Sequence, residues 1–300
     1  MIIIRFRKIF YIFSGTLIAA SIVALLIFGL HLGIDFTGGA LVEAEFTGER
    51  PSMDALRERL AAAGFGEARI QTAGEHGVLV RFRDVDEQGH QQFLSALAGS
   101  PAHGVALTEK RFDSIGPTIG NELRRKAIIA IALVLALILA FVSWAFRHVS
   151  RPVASWKYAV AAIAALGHDV VLPAGLFAAL GQFAGAEADA LFVTALLTIL
   201  GFSVHDTIVV FDRIRENLRK TPNDDFETVV GRSLNETFAR SLATSFAIFL
   251  VIAALFWFGA EATRYFALTL LAGIIFGTYS SLFLASPLLV TWQKWSARRS

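Results

Sequence analysis

A chain of 300 residues that is 55% hydrophobic and only 17% charged, with a mean hydropathy of +0.59, is not an ordinary water-soluble protein. The net charge of +2 says little by itself, because the distribution of charge matters more than the sum, and no nucleic-acid partner is expected. The absence of cysteine excludes disulfides and thiolate metal sites; neither a metal nor a cofactor is expected.

Six stretches are apolar over roughly the 20 residues needed to cross a bilayer. They run near Phe10–Leu30, Ala127–Phe146, Tyr158–Leu180, Ala190–Phe211, Phe238–Phe258 and Tyr265–Val290, the last long enough to tilt. The first follows Arg5, Arg7 and Lys8, as a signal peptide would, but its apolar core is too long and no small-x-small site follows before Gly33. It reads as a retained helix. Three segments result: 1–32 with the first span, a water-facing domain over 33–118, and a five-helix region over 119–300 with a cytoplasmic loop at 212–237.

Orientation follows from the basic residues. Arg5, Arg7 and Lys8 sit at the amino end, Arg147, Arg151 and Lys157 in the second connection, and Lys294, Arg298 and Arg299 in the tail. The fourth connection holds Arg213, Arg215, Arg219, Lys220, Arg232 and Arg240, whereas the short third connection, GQFAGAEAD, holds none. By the positive-inside rule both termini are cytoplasmic and the 33–118 domain is outside. Arg124, Arg125 and Lys126 are an exception beside that domain, where the rule weakens. Trp144, Trp156, Trp257, Trp292 and Trp295 all fall near span ends, where amphipathic rings favour the interface.

The outer domain has a legible order. GALVEAEFTG alternates as a half-buried strand; SMDALRERLAAAGFG is an amphipathic helix opened by Ser52 and closed by Gly64. EARIQTAGEHGVLVRFRD splits at Gly74–Gly77 into a hairpin, DEQGHQQFLSALAG is a second helix, and VALTEKRFDS a last strand. The order βαββαβ predicts an α+β ferredoxin-like sandwich. Glu43 and Glu45 share one strand face, which reads as a solvated face rather than an acidic pair.

GFSVHDTIVVFDRIREN (201–217) places His205 and Asp206 inside the fourth span. A charge near the bilayer centre costs about 3 kcal/mol on insertion scales. Asp206 lies seven residues before Arg213, roughly 10 Å of helix, so it is protonated, paired or facing water. Arg240, in the first turns of the antiparallel fifth span, is expected at similar depth, with Ser241, Thr244 and Ser245 around it and Thr207 and Ser203 beside Asp206. His168 and Asp169 lie mid-span in the third helix. An Asp–Arg pair also serves as structural glue. Two carboxylates, two histidines and an arginine facing one interior exceed that need and point to a proton relay, in which separation from Arg240 would raise the carboxylate's proton affinity.

Smaller features complete the pass. DDFETVVGRSLNETF has apolar residues at helical spacing and reads as a helix along the cytoplasmic interface, with Arg219, Lys220 and Arg232 suited to anionic headgroups. Gly273 and Gly277 form GxxxG, a close-packing signal, and Pro173 is expected to kink the third helix. There is no HExxH, no GxGD and no phosphate loop, so an enzyme is not expected.

Taken in order, GIDFTGG (33–39), SIGPTIGNELRRKAI (114–128), HDV (168–170), DTIVVFDRIREN (206–217), LNETFARSLATS (234–245) and GTYSSLFLASPLL (277–289) resemble the motifs of the SecF side of the bacterial SecD/SecF family. The resemblance spans almost the whole chain. It implies a relative of the resistance-nodulation-division transporters in the bacterial inner membrane, using the proton gradient to assist late, ATP-independent steps of export of a polypeptide through SecYEG. It implies SecD as partner, with YajC and YidC as further companions, and it maps the family's important membrane Asp and Arg onto Asp206 and Arg240. His205 departs from it, since relatives often have Asn there. Two alternatives stay open: a purely structural subunit, and a small-molecule exporter of the same superfamily, for which the chain is short.

Overall fold

The computed structural model describes residues 2–99, 106–147 and 153–298; Val105, Arg151 and Arg299, used above, lie outside these. Contacts divide the chain into two compact units, Leu32–Ile128 and a combination of Met1–His31 with Ile129–Ser300.

A short helix α1 (Ile2–Arg5) and the first long helix α2 (Arg7–Ile27) lead to a single turn, α3 (Ile34–Thr37), in the smaller unit. The order there is β1 (Gly39–Phe46), α4 (Met53–Ala62), β2 (Arg69–Ala73), β3 (Gly77–Phe82), α5 (Glu87–Ala98) and β4 (Leu107–Ile115). The sheet is antiparallel in the order β2-β3-β1-β4, the ferredoxin-like arrangement that the sequence order predicts. Alternation explains the layering. Ala40, Val42, Ala44 and Phe46 of β1 point inward with Val78, Val80 and Phe82 of β3, against Leu56 and Leu60 of α4 and Phe93 and Leu97 of α5. Side-chain caps set both helix starts: Ser52 accepts from Ala55 N at 3.3 Å and Asp86 from Gly89 N at 2.9 Å.

The two glycine-rich motifs meet at the foot of this unit. Gly38 and Gly39 have φ of +75° and +126°, which side-chain-bearing residues rarely adopt. A Cβ on Gly38 would lie 2.8 Å from Pro117 Cα, and one on Gly120 would lie 2.7 Å from Gly38 N. GIDFTGG and SIGPTIG are therefore packed backbone to backbone, which only glycine permits.

The helices of the membrane-spanning unit are α2 with α6 (Pro117–Ala145), α7 (Ser155–Ala184), α8 (Ala190–Lys220), α9 (Phe226–Phe258) and a last span made of α10 (Arg264–Ser280), a π-helical turn (Ser281–Ala285) and α11 (Ser286–Ala297). All six predicted spans are present. Three details differ from the sequence reading or resolve it. DDFETVVGRSLNETF is not a separate interfacial helix but the start of α9, because Asp225 caps that helix at Glu227 N (3.1 Å), Phe226, Val230 and Leu234 join the bundle core, and Val229 is buried. The π turn stands where Pro287 has no N–H to give and its ring crowds the preceding turn. GxxxG acts inside the chain: a Cβ on Gly273 would lie 2.2 Å from Ile199 of α8. α7 continues through Pro173 to Ala184.

At the basic end of the bundle, Glu227 of α9 accepts from Arg7 (2.8 Å) and from Lys294, tying α2, α9 and α11 together. Beneath it the apolar core contains Tyr158 stacked on Phe146 (centroids 5.4 Å) and edge-on to Phe211 (5.3 Å).

Candidate functional site

Asp169 of α7 and Asp206 of α8 are buried where hydroxyls of α8, α9 and α10 reach them. Helix geometry decides which of them point inward. On α8 the buried positions Ser203, Asp206, Thr207 and Val210 recur at helical spacing, as do Thr237, Ser241 and Ser245 on α9, and these two stripes face each other. Asp225 and Asp189 start the two helices with side-chain caps, and bonds between the helices hold their register.

Asp206 is 8% exposed and accepts a hydrogen bond from Ser245 Oγ at 3.1 Å. It borders a cavity of about 30 Å³ lined by Ser203, His205, Thr244, Ser245, Gly277 and Thr278 among others. The lining is mostly apolar, with Phe202, Ile248 and Ile274, but a cavity of that size accommodates one water, and Asp206, Ser245 and Thr244 are polar groups on its wall. The hydroxyls of Thr207 and Ser241 are buried without a hydrogen-bond partner among the described residues. Thr244 donates back to Arg240 O at 2.9 Å, the usual way a hydroxyl is satisfied in a helix.

Arg240 and His205 lie on the exposed flank of the same helices, next to the inward stripes. Among the described residues no ion pair joins Arg240 to Asp206. The register shows why. Asn217 meets Ser233, Arg213 meets Glu236 and Asp206 meets Ser245. Arg240 is therefore level with Val210, about 6 Å along the axis from Asp206, and Ser245 occupies the position facing the carboxylate. The two residues, expected at similar depth, are offset by about one helical turn, a distance an arginine side chain spans.

The third-helix pair is more deeply placed. Asp169 is fully buried; its Oδ1 faces His168 Nδ1 at 2.8 Å, and its Oδ2 accepts from Ser280 Oγ at 2.6 Å and from Ser203 Oγ. His168 stacks beside Tyr279 (5.9 Å, 26°), and its Nε2 is buried without a hydrogen-bond partner among the described residues. Ser280 and Gly277 had not been singled out as site residues. The signal was the polar run TYSS inside an apolar span. Among the described residues there is no cluster able to hold a metal ion.

In the smaller unit Glu45 pairs with Lys110 at 2.8 Å. The β1–β4 register skips Lys110, a bulge that re-aims its side chain onto Glu45. The Lys110 hydrogen bond and then its charge hold the Glu45 carboxyl below the usual carboxylate range and, reciprocally, raise Lys110. This is a solvated surface pair, as the strand pattern implied.

The family described as "Protein export membrane protein SecD/SecF, C-terminal" matches residues 100–295, and "SecD/SecF GG Motif" matches residues 23–48. The protein translocase subunit SecF of Thermobaculum terrenum is 43% identical over 97% of this chain and 93% of its own length. That of Vibrio alginolyticus is 38% identical over 95% of this chain and 87% of its own. The crystal structure of SecDF, a translocon-associated membrane protein from Thermus, superposes with a TM-score of 0.82 at 33% identity over 97% of this chain. The chain spans 38% of that SecDF polypeptide and 37% of the Brucella abortus SecDF subunit.

Proposed function

Because the chain belongs to the SecD/SecF family of protein-export membrane proteins, we propose that it works as the SecF half of a SecD–SecF complex in which proton movement at Asp206 drives a late step of export. It is a multi-pass membrane subunit of Sec protein export. The finer reading concerns coupling. Relatives in which a stretch like this one forms part of a longer SecDF chain support SecD as partner. His205, Arg240 and Thr244 put polar groups among exposed apolar ones on this flank, which suits a second helical bundle better than acyl chains alone. SecYEG is the channel it would assist; YajC and YidC rest on the family resemblance. The excess of Lys and Arg in the even connections supports a topology with both termini in the cytoplasm and the small unit on the periplasmic side of a bacterial inner membrane.

One observation carries the coupling. Asp206 is a nearly buried carboxylate held by a neutral hydroxyl, beside a cavity sized for water, with Arg240 one helical turn away. A proton arriving from the periplasm neutralises Asp206; its loss favours a swing of Arg240 toward the carboxylate and a shift of α9 against α8. Each charge crossing the membrane delivers about 2.3 kcal/mol per 100 mV, enough to bias a two-state equilibrium substantially. Asp206→Asn is expected to assemble with SecD but to lose the proton-dependent component of export in inverted vesicles. Export at the wild-type rate by that variant would refute the coupling.

A structural reading draws support from Asp169, whose three donors tie α7, α8 and α10 together as glue would. Replacing Asp206 and Arg240 together by Leu with full retention of export would favour it.

A further inference from the structure

We propose that Ser203 is the hydroxyl bridge through which Asp206 and Asp169 exchange a proton, making Asp169 a second, inner holding point; the inference rests on the proton-coupled reading above. Three observations meet at this serine. It donates to Asp169 Oδ2, it lies three residues before Asp206 on the same face of α8, and it lines the same small cavity as Asp206. A hydroxyl has one hydrogen to donate and two lone pairs to accept with. While Ser203 donates to Asp169, its lone pairs remain available to a donor on the cavity side.

The surroundings of Asp169 argue for more than glue. Its carboxyl is fully buried, and the donors on it include two serine hydroxyls, which can reverse direction when the carboxyl takes up a proton. A backbone N–H or a lysine in their place, being a donor only, could not reverse. Gly277 keeps the junction open. A methyl there would lie 3.4 Å from Ser203 Cβ and 3.8 Å from Asp169 Oδ2, at the wall of the cavity itself. These are ordinary contact distances, so the glycine is not required to let the helices approach at this level, in contrast to Gly273 one turn earlier. What it leaves is space between hydroxyl, carboxylate and cavity.

The transfer balances without any further reactant. Asp206, as the acid, gives its proton to a water in the cavity. That water passes one of its protons to Ser203 Oγ as Ser203 gives its own to Asp169 Oδ2. Asp206 ends as carboxylate and Asp169 as the acid, now donating to Ser203, with the serine and water unchanged in composition. His168 Nδ1, on the other oxygen, steadies whichever form is present.

The test uses the chain reconstituted with its SecD partner in vesicles, with proton uptake followed under an imposed potential. The carboxylic-acid C=O bands are followed by infrared difference spectroscopy. Ser203→Ala is expected to slow uptake by about 10-fold or more, a modest share of what a positioned proton carrier contributes, and Ser203→Thr to restore it. Gly277→Ala keeps every polar group and meets only ordinary contacts, so a glue role predicts wild-type uptake, whereas the bridge predicts a loss like that of Ser203→Ala. It also serves should Ser203→Ala fail to assemble. Two C=O bands are expected, one removed by Asp206→Asn and the other by Asp169→Asn. Wild-type uptake in both Gly277→Ala and Asp169→Asn, with uptake abolished in Asp206→Asn, would overturn the bridge and leave the coupling intact. Wild-type uptake in Asp206→Asn would instead overturn the coupling itself.

Discussion

Gly273→Ala tests the packing that holds α10 against α8 and so brings Ser280 and Gly277 to the carboxylates. The added methyl would sit 2.2 Å from both Cδ1 and Cγ1 of Ile199 and 3.0 Å from its Cγ2. Ile199 is 1% exposed and has little room to retreat. Overpacking of a filled core costs about 1–3 kcal/mol, and two simultaneous clashes place this case near the upper end. Replacing Gly by Ala in a helix returns about 1 kcal/mol, so a net loss of about 2 kcal/mol is expected. The clash is with a side chain, which makes it curable. Ile199→Ala alone should cost about 3 kcal/mol as a cavity mutation, but the double variant should be about 2 kcal/mol more stable than the sum of the singles. Gly175 supplies the contrast: its Cβ would lie 2.5 Å from Ser21 Cα and 2.3 Å from Ser21 Cβ, atoms that Ser21→Ala leaves in place. No rescue is expected there. The assay is equilibrium unfolding in mixed micelles, followed by circular dichroism. Wild-type stability in Gly273→Ala, or strict additivity in the Ile199 cycle, would refute the argument.

Two further outcomes follow from the ion pairs. Glu227→Gln removes the carboxylate shared by Arg7 and Lys294; because these groups are partly exposed, the loss should be roughly 1 kcal/mol and should shrink as salt rises, and a salt-independent melting temperature difference would contradict it. In the smaller unit, the lowered Glu45 carboxyl contributes stability above the ordinary carboxylate pKa that is lost as pH falls through its lowered folded value. Raised Lys110 contributes below the ordinary lysine pKa and loses that as pH rises through its own raised value. Lys110→Met should return the Glu45 titration, read by NMR, toward the usual carboxylate range; an unmoved midpoint would show that the pair does not set it.

The chain's own pattern determined a good deal. Twenty-residue apolar runs specify spans whatever surrounds them, because the bilayer demands internally satisfied backbone. Alternation in GALVEAEF and helical spacing in SMDALRERLAA specify the small unit, since each element must bury one face. Local pattern was silent where a choice depended on neighbours. Phe226–Leu234 has the periodicity of a surface helix, and only the contacts of Phe226, Val230 and Leu234 reveal it as the root of α9.

At the candidate site the division is sharper. That Asp206, Arg240, His168 and Asp169 need an explanation was evident from charge in an apolar run, a matter of composition alone. Which of them meet was decided by the axial register of α8 against α9, held by the Asn217–Ser233 and Arg213–Glu236 bonds, and by the packing of α10 through Gly273 against Ile199. A shift of one helical turn makes Ser245, not Arg240, the group facing Asp206, and it brings Ser203 and Ser280 from two different helices onto Asp169. Such distances between helices have no counterpart along the chain, so only the packed tertiary structure supplies them.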